Sequence, residues 1–97
     1  MRFPRQLYTP QGEVIKVKLV AKMENLGTYA DGVIRIRKDL KGDLRWSVLL
    51  HEILHFCWER ANHDELKDSF EERCIERLEM PLYDILRANF RFGPGSD

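Results

Sequence analysis

The sequence predicts an α+β domain in which an N-terminal antiparallel β-hairpin packs on two C-terminal helices. Two stretches of the first half alternate apolar and charged residues at a period of two, as half-buried strands do. From Asp43 onward the apolar residues recur every three or four positions instead, the period of an amphipathic helix. Glycine, proline and short polar clusters punctuate the change, at Pro10-Gln11-Gly12, between Asn25 and Gly32, and at Lys41-Gly42.

The first strand is Val14-Ile15-Lys16-Val17-Lys18-Leu19-Val20, with Ile15, Val17 and Leu19 towards the core and Lys16 and Lys18 towards water. A polar connector containing Asn25, Gly27, Asp31 and Gly32 leads to the second, Val33 to Arg37, with Ile34 and Ile36 inward and both arginines outward. These two strands are expected to pair as a long antiparallel hairpin with one basic face exposed. Asp43 is the expected N-cap of a helix running to about Arg60. Its Trp46, Leu49, Leu50, Ile53, Leu54 and Cys57 give a broad apolar face. Asn62-His63-Asp64 ends it, and Asp64 is the expected cap of a second helix. That helix carries Leu66, Phe70, Ile75, Leu78, Leu82, Ile85 and Leu86 at helical spacing. Pro81 lies inside the pattern and is expected to kink the helix or start a fresh segment. Gly93 to Asp97 reads as a frayed tail, so one domain spans 1–97 with an ordered core over about 12–90.

Composition narrows the function classes. The chain of 97 residues is 43% hydrophobic and 33% charged, as soluble globular domains are. It holds no apolar run near the roughly 18 residues of a membrane span. The first ten residues lack the apolar segment of a secretory signal, so a cytoplasmic setting is expected. Cys57 and Cys74 are too few and too helical in context for a disulfide scaffold; buried free thiols are expected, with zinc ligation the lesser alternative. The zero net charge divides unevenly. Residues 1–48 hold ten Lys and Arg against five acids, and residues 49–97 hold six against eleven. An acidic second half suits a cation, and a basic first half raises the question of nucleic acid.

The chemistry concentrates in His51-Glu52-Ile53-Leu54-His55. Helix residues four apart lie one turn apart on one side, so His51 and His55 can offer two imidazoles to one metal ion. Glu52, about 100° around the helix, stands beside the metal without pointing at it, where a base acting on water belongs. A catalytic zinc takes three protein ligands and keeps one position open. A third histidine six residues on is excluded, because Trp58 and Ala61 occupy the places of the longer His-Glu-x-x-His-x-x-Gly-x-x-His motif. The second helix offers carboxylates. Glu71 falls in the middle of its apolar stripe, where an acid needs a partner or a metal, and is the first choice. Glu72, on the flank with Glu76 and Glu79, is the alternative. His63, Tyr83 and Arg77 are further candidates as ligand or hydrogen-bond donor. Imidazole and carboxylate together suit zinc best and also admit manganese, cobalt or nickel.

Leu49 to His55, Glu71-Glu72-Arg73-Cys74-Ile75-Glu76-Arg77-Leu78 and Leu82 to Asn89 together resemble the small zincin-like metallopeptidases of phages and prophages. More distantly they are similar to the ImmA/IrrE-type metallopeptidases. The Gly32 to Arg37 strand fits as well, so the likeness spans about residues 12–90. It implies a minimal gluzincin, with two histidines on one helix and a glutamate on the next, in a bacterial or phage-infected cell. The expected activity is zinc-dependent hydrolysis of a peptide or protein substrate with Glu52 as general base. Val33 to Arg37 would be the edge on which an extended peptide adds as a strand. A zinc-stabilised interaction protein without turnover is the alternative. Lys16, Lys18, Arg35 and Arg37 could meet phosphates, but no exposed aromatic residue alternates with them to stack bases. Nucleic acid is therefore not the expected partner.

Overall fold

The turn chemistry of residues 25–37 decides the topology. In the computed structural model, which describes residues 2–62 and 68–94, Asp31 and Gly32 both adopt positive φ, 51° and 75°. They form the two-residue turn that suits a right-twisted hairpin. The turn joins β3 (Gly27–Ala30) to β4 (Val33–Arg37), with Ala30 opposite Val33. β2 (Val14–Val20) takes the other side of β4 and runs parallel to it, Val17 beside Ile34 and Leu19 beside Ile36. β1 (Gln6–Tyr8) closes the far edge antiparallel to β2, giving the order β1-β2-β4-β3. The expected antiparallel pairing of Val14–Val20 with Val33–Arg37 is thus corrected. Val33–Arg37 already has its antiparallel partner in β3, a strand hidden in what reads as a polar connector.

The fold is α+β, four N-terminal strands followed by two helices, α1 (Gly42–Asn62) and α2 (Asp68–Asn89). Ile15, Val17, Ile34 and Ile36 turn one sheet face towards Trp46, Val48, Leu49, Leu50 and Phe56 of α1, and all are buried. Leu19, expected inward, is half-exposed near the end of β2, beyond the residues that β1 pairs. Arg45 donates to the Leu40 and Lys38 carbonyls, each at 2.8 Å, and so fixes where the chain enters α1. Asp43 lies inside the first turn of α1 instead of capping it. Its carboxylate accepts a 2.6 Å bond from the Tyr83 hydroxyl and stands 3.4 Å from Arg87.

α2 packs on α1 and makes no comparable approach to the sheet, so the molecule stacks as sheet, α1, α2. A helix with one neighbour buries a narrow face. Ile75 and Tyr83 are buried and Leu82 and Leu86 partly so, whereas Phe70, Leu78 and Ile85, expected in the core, are exposed. Pro81 sits on the exposed side, and the helix runs through it without a break. There the Arg77 carbonyl, which loses its intrahelical donor, can turn to water. Packing also extends past both ends of the expected core. Phe3 and Phe92 stand edge-on to Trp46 at 5.2 and 4.9 Å between centroids, and Gly93 is buried against Arg87. Cys57 is exposed and Cys74 half-buried, both as free thiols, so the expected burial fails for Cys57. The expected cap Asp64, with Leu66 and His63, lies outside the described residues. No described helix is long and apolar enough to cross a membrane.

Candidate metal centre

α1 presents His51 and His55 on the side that faces α2, one turn apart as their spacing requires. Their Nε2 atoms lie 3.2 Å from each other. One carboxylate bridges the pair: Glu72 Oε1 is 2.9 Å from His51 Nε2, and Glu72 Oε2 is 3.1 Å from His55 Nε2. Among the described residues His51, His55 and Glu72 are the group whose ligand atoms gather closely enough to share a metal ion, all within 4.8 Å of one another.

The outer nitrogens are engaged separately. His51 Nδ1 meets Glu79 Oε2 at 2.6 Å, and His55 Nδ1 meets Glu71 Oε2 at 3.2 Å. A ring that donates its Nδ1 proton to a carboxylate turns the Nε2 lone pair outward, the tautomer a metal ligand needs. Two such lone pairs and a carboxylate aimed at one point repel one another unless a cation stands among them. The donor set therefore fits a divalent metal by its own chemistry. It also explains the rise in the His51 pKa. Burial, the largest single influence, lowers it, but the hydrogen bond and charge of Glu79 with the charges of Glu52 and Glu72 outweigh that.

This arrangement assigns the two candidate acids different positions. Glu72, the alternative, faces both Nε2 atoms; Glu71, the first choice, stands behind His55 at the outer nitrogen. The inward ranking of Glu71 came from counting Phe70, Leu78 and Ile85 as buried. With those three exposed, the face of α2 that meets α1 runs through Ile75, Glu79, Leu82 and Tyr83, which brings Glu72 over both imidazoles although its side chain is more exposed than that of Glu71. Glu79, on the flank with Glu72 and Glu76 by its sequence position, is not among the expected site residues, yet it meets His51. Its spacing of seven from Glu72, two helical turns, was the available signal.

Glu52 is the one buried charged residue, 5% exposed, among those described. Burial raises its carboxyl pKa; His51 and His55 pull the other way, and Glu72 and Glu79 add to the rise. The backbone of β3 crosses directly over it. A Cβ built on Gly27 would lie 2.6 Å from Val48 Cγ1, 3.1 Å from Glu52 Oε2 and 3.2 Å from the Arg35 carbonyl oxygen. Only a residue without a side chain lets the strand approach so closely.

A cleft of about 470 Å³ opens beside these residues. Asn25, Leu26 and Gly27 form one wall, Leu44, Ser47 and Val48 the floor, and Glu72, Glu76 and Glu79 the opposite wall. Tyr83 and Arg77 do not line it. Tyr83 is buried against Asp43, and burial with that bond pushes its hydroxyl pKa up. His63 lies outside the described residues. Val33–Arg37, expected as a peptide-binding edge, is an interior strand with neighbours on both sides, and the edge beside the cleft is β3. Compared with known proteins, the chain matches no family model, no curated protein and no solved structure.

Proposed function

We propose that the chain is a zinc-dependent metallopeptidase of the His-Glu-x-x-His class. The observation that carries this reading is the convergence of His51 Nε2, His55 Nε2 and the Glu72 carboxylate beside the buried Glu52. His51, His55 and Glu72 would hold the ion, with Glu79 and Glu71 orienting the two imidazoles. Bound there, zinc supplies Lewis acidity that activates water and polarises a peptide carbonyl.

The remaining steps fall to the protein. Glu52, buried beside the imidazoles with its carboxyl pKa raised by that burial, would accept the proton from the attacking water. It then passes that proton to the amine that leaves. Gly27 keeps the β3 backbone against this carboxylate, and the free edge of β3 can add an extended peptide by main-chain hydrogen bonds along the cleft. Leu26, Leu44 and Val48 supply apolar contact to its side chains. The likeness to phage and prophage zincins supports a cytoplasmic setting in a bacterial or phage-infected cell, and the two free thiols agree with a reducing compartment.

The test joins metal content to turnover. Zinc per chain should fall sharply in His55→Ala and Glu72→Ala and only partly in Glu71→Ala. Glu52→Gln should keep its zinc and lose hydrolysis of a peptide pool. If neither His55→Ala nor Glu72→Ala lowers metal content, the site is wrong. If the zinc-loaded wild type hydrolyses nothing, the protein is a zinc-stabilised interaction module instead.

A further inference from the structure

α1 covers one face of the sheet and leaves the other open. Strand alternation and register assign the open face from the residues alone. Ile15, Val17, Ile34 and Ile36 are buried against the helix, so Lys16, Lys18 and Arg35 point the opposite way. Leu7 packs with the core, which turns its neighbours Gln6 and Tyr8 to the open face, beside Lys16 and Val14 respectively. Tyr29 stacks edge-on to Phe56 of α1, which turns Thr28 outward beside Arg35. No strand residue on this face is acidic.

Two features of the face go beyond ordinary surface lysines. Lys18 lies directly beside Arg35 across β2 and β4, a like-charged neighbour pair that costs stability. Lys16 is two residues along from Lys18 and diagonal to Arg35, so the three cations fall within about 5–8 Å of one another at the backbone. None of them has an ion-pair partner among the described residues, whereas Arg37, Arg60 and Arg87 each have one, in Asp39, Glu13 and Asp43. The second feature is Tyr8. The residue is 67% exposed at the border of the basic patch, its hydroxyl accepts a bond from the Gln6 amide, and Val14 lies alongside. An aromatic ring is absent from the Val14–Val20 and Val33–Arg37 strands; β1 brings one to the face from a separate part of the chain.

We infer that the open face of the sheet binds single-stranded nucleic acid. Lys16, Lys18 and Arg35 contact successive phosphates and thereby relieve their mutual repulsion, and Tyr8 stacks an unpaired base. A duplex would answer the charges equally well but keeps its bases stacked inside, out of reach of the ring. This face lies across the sheet from α1 and the cleft, so the inference does not depend on the chain being a peptidase.

The test is fluorescence anisotropy of the full chain with a labelled 12-residue thymidine oligonucleotide, the same sequence as a duplex, and anionic phosphatidylserine vesicles. The single strand should bind best, with log affinity falling against log salt at a slope of about −2 for three phosphate contacts. Tyr8→Ala should weaken binding roughly tenfold without changing that slope, and Tyr8→Phe should restore it. The double change Lys18→Gln with Arg35→Gln should flatten the slope from about −2 to about −0.7, the value for one remaining phosphate contact. Circular dichroism and thermal melting establish that each variant is folded. Equal affinity for the duplex with no effect of Tyr8→Ala, preference for the vesicles, or no binding at low salt would each overturn the inference.

Discussion

His51 and His55 differ in how firmly each is held, and the difference has a measurable consequence. The Glu79 contact to His51 Nδ1 is 2.6 Å, the length of a strong charge-assisted bond, while the Glu71 contact to His55 Nδ1 is 3.2 Å. Glu79 is also the less exposed of the acids that touch His51, 24% at its side chain against 44% for Glu72. Less water screens it, so it should set the tautomer and orientation of its ring more strongly. Glu79→Gln is expected to lower zinc affinity about 10–100-fold. Glu71→Gln should cost less. Glu76→Gln is the control, because Glu76 lines the same wall but contacts neither imidazole among the described residues. Competition against a chelating dye measures all three; equal loss in Glu76→Gln and Glu79→Gln would mean that general negative charge, not orientation, is what matters. At this scale the His51–Glu52–His55 core was readable from spacing alone, since four residues make one turn. The acids were not, because ranking them needs the direction in which α2 faces. Glu71 and Glu72 differ by only one residue's rotation, and three exposed apolar side chains were enough to tip the choice.

Among the elements, β3 is the one the sequence concealed and the site most depends on. Gly-Thr-Tyr-Ala is short, with a single aromatic and no run of branched residues, so periodicity gives it little weight. The Asp31-Gly32 turn was the better signal, since Asp-Gly between two extended segments marks a hairpin. Reading it would have exchanged the expected partner of Val33–Arg37 for β3 and left the parallel pairing with β2 as the only free side. The other elements were legible because their pattern is local: α1 starts and ends within two residues of expectation, and the isoleucines of β4 are fully buried. What β3 does can be tested at Gly27. A methyl there meets Val48 at 2.6 Å, a distance that forces the strand and helix apart. Gly27→Ala is expected to destabilise the fold by about 1–3 kcal/mol, the usual cost of overpacking a filled site. Val48→Ala carries its own penalty, yet in the double variant it opens room for the methyl, so the two costs should sum to more than the measured loss. Urea melts of the two single variants and the double decide it; strict additivity would show that the contact is not what excludes a side chain.

The stacking of sheet, α1 and α2 would make the whole molecule sensitive to a metal at the proposed site. α1 is clasped on two sides, but α2 has α1 alone, through Ile75, Leu82, Tyr83 and the Tyr83–Asp43 bond. The proposed ligands straddle that junction, two from α1 and Glu72 from α2, with Glu71 and Glu79 of α2 also meeting the imidazoles. Without a cation, the same groups set carboxylates against the buried Glu52 and against one another. Zinc would therefore act as a rivet between the second and third layers, stabilising the folded chain by its binding free energy. At a hundredfold excess over the dissociation constant this amounts to about 2.7 kcal/mol. For a chain of this size that is roughly 10–20 °C in melting temperature. Removing zinc with a chelator should lower the Tm by that amount, and α2 amides should lose hydrogen-exchange protection before those of β2 and β4. Glu72→Ala should melt near the chelated wild type and respond little to zinc. A Tm that ignores zinc in the wild type, or rises equally in Glu72→Ala, would place the metal somewhere other than between the helices.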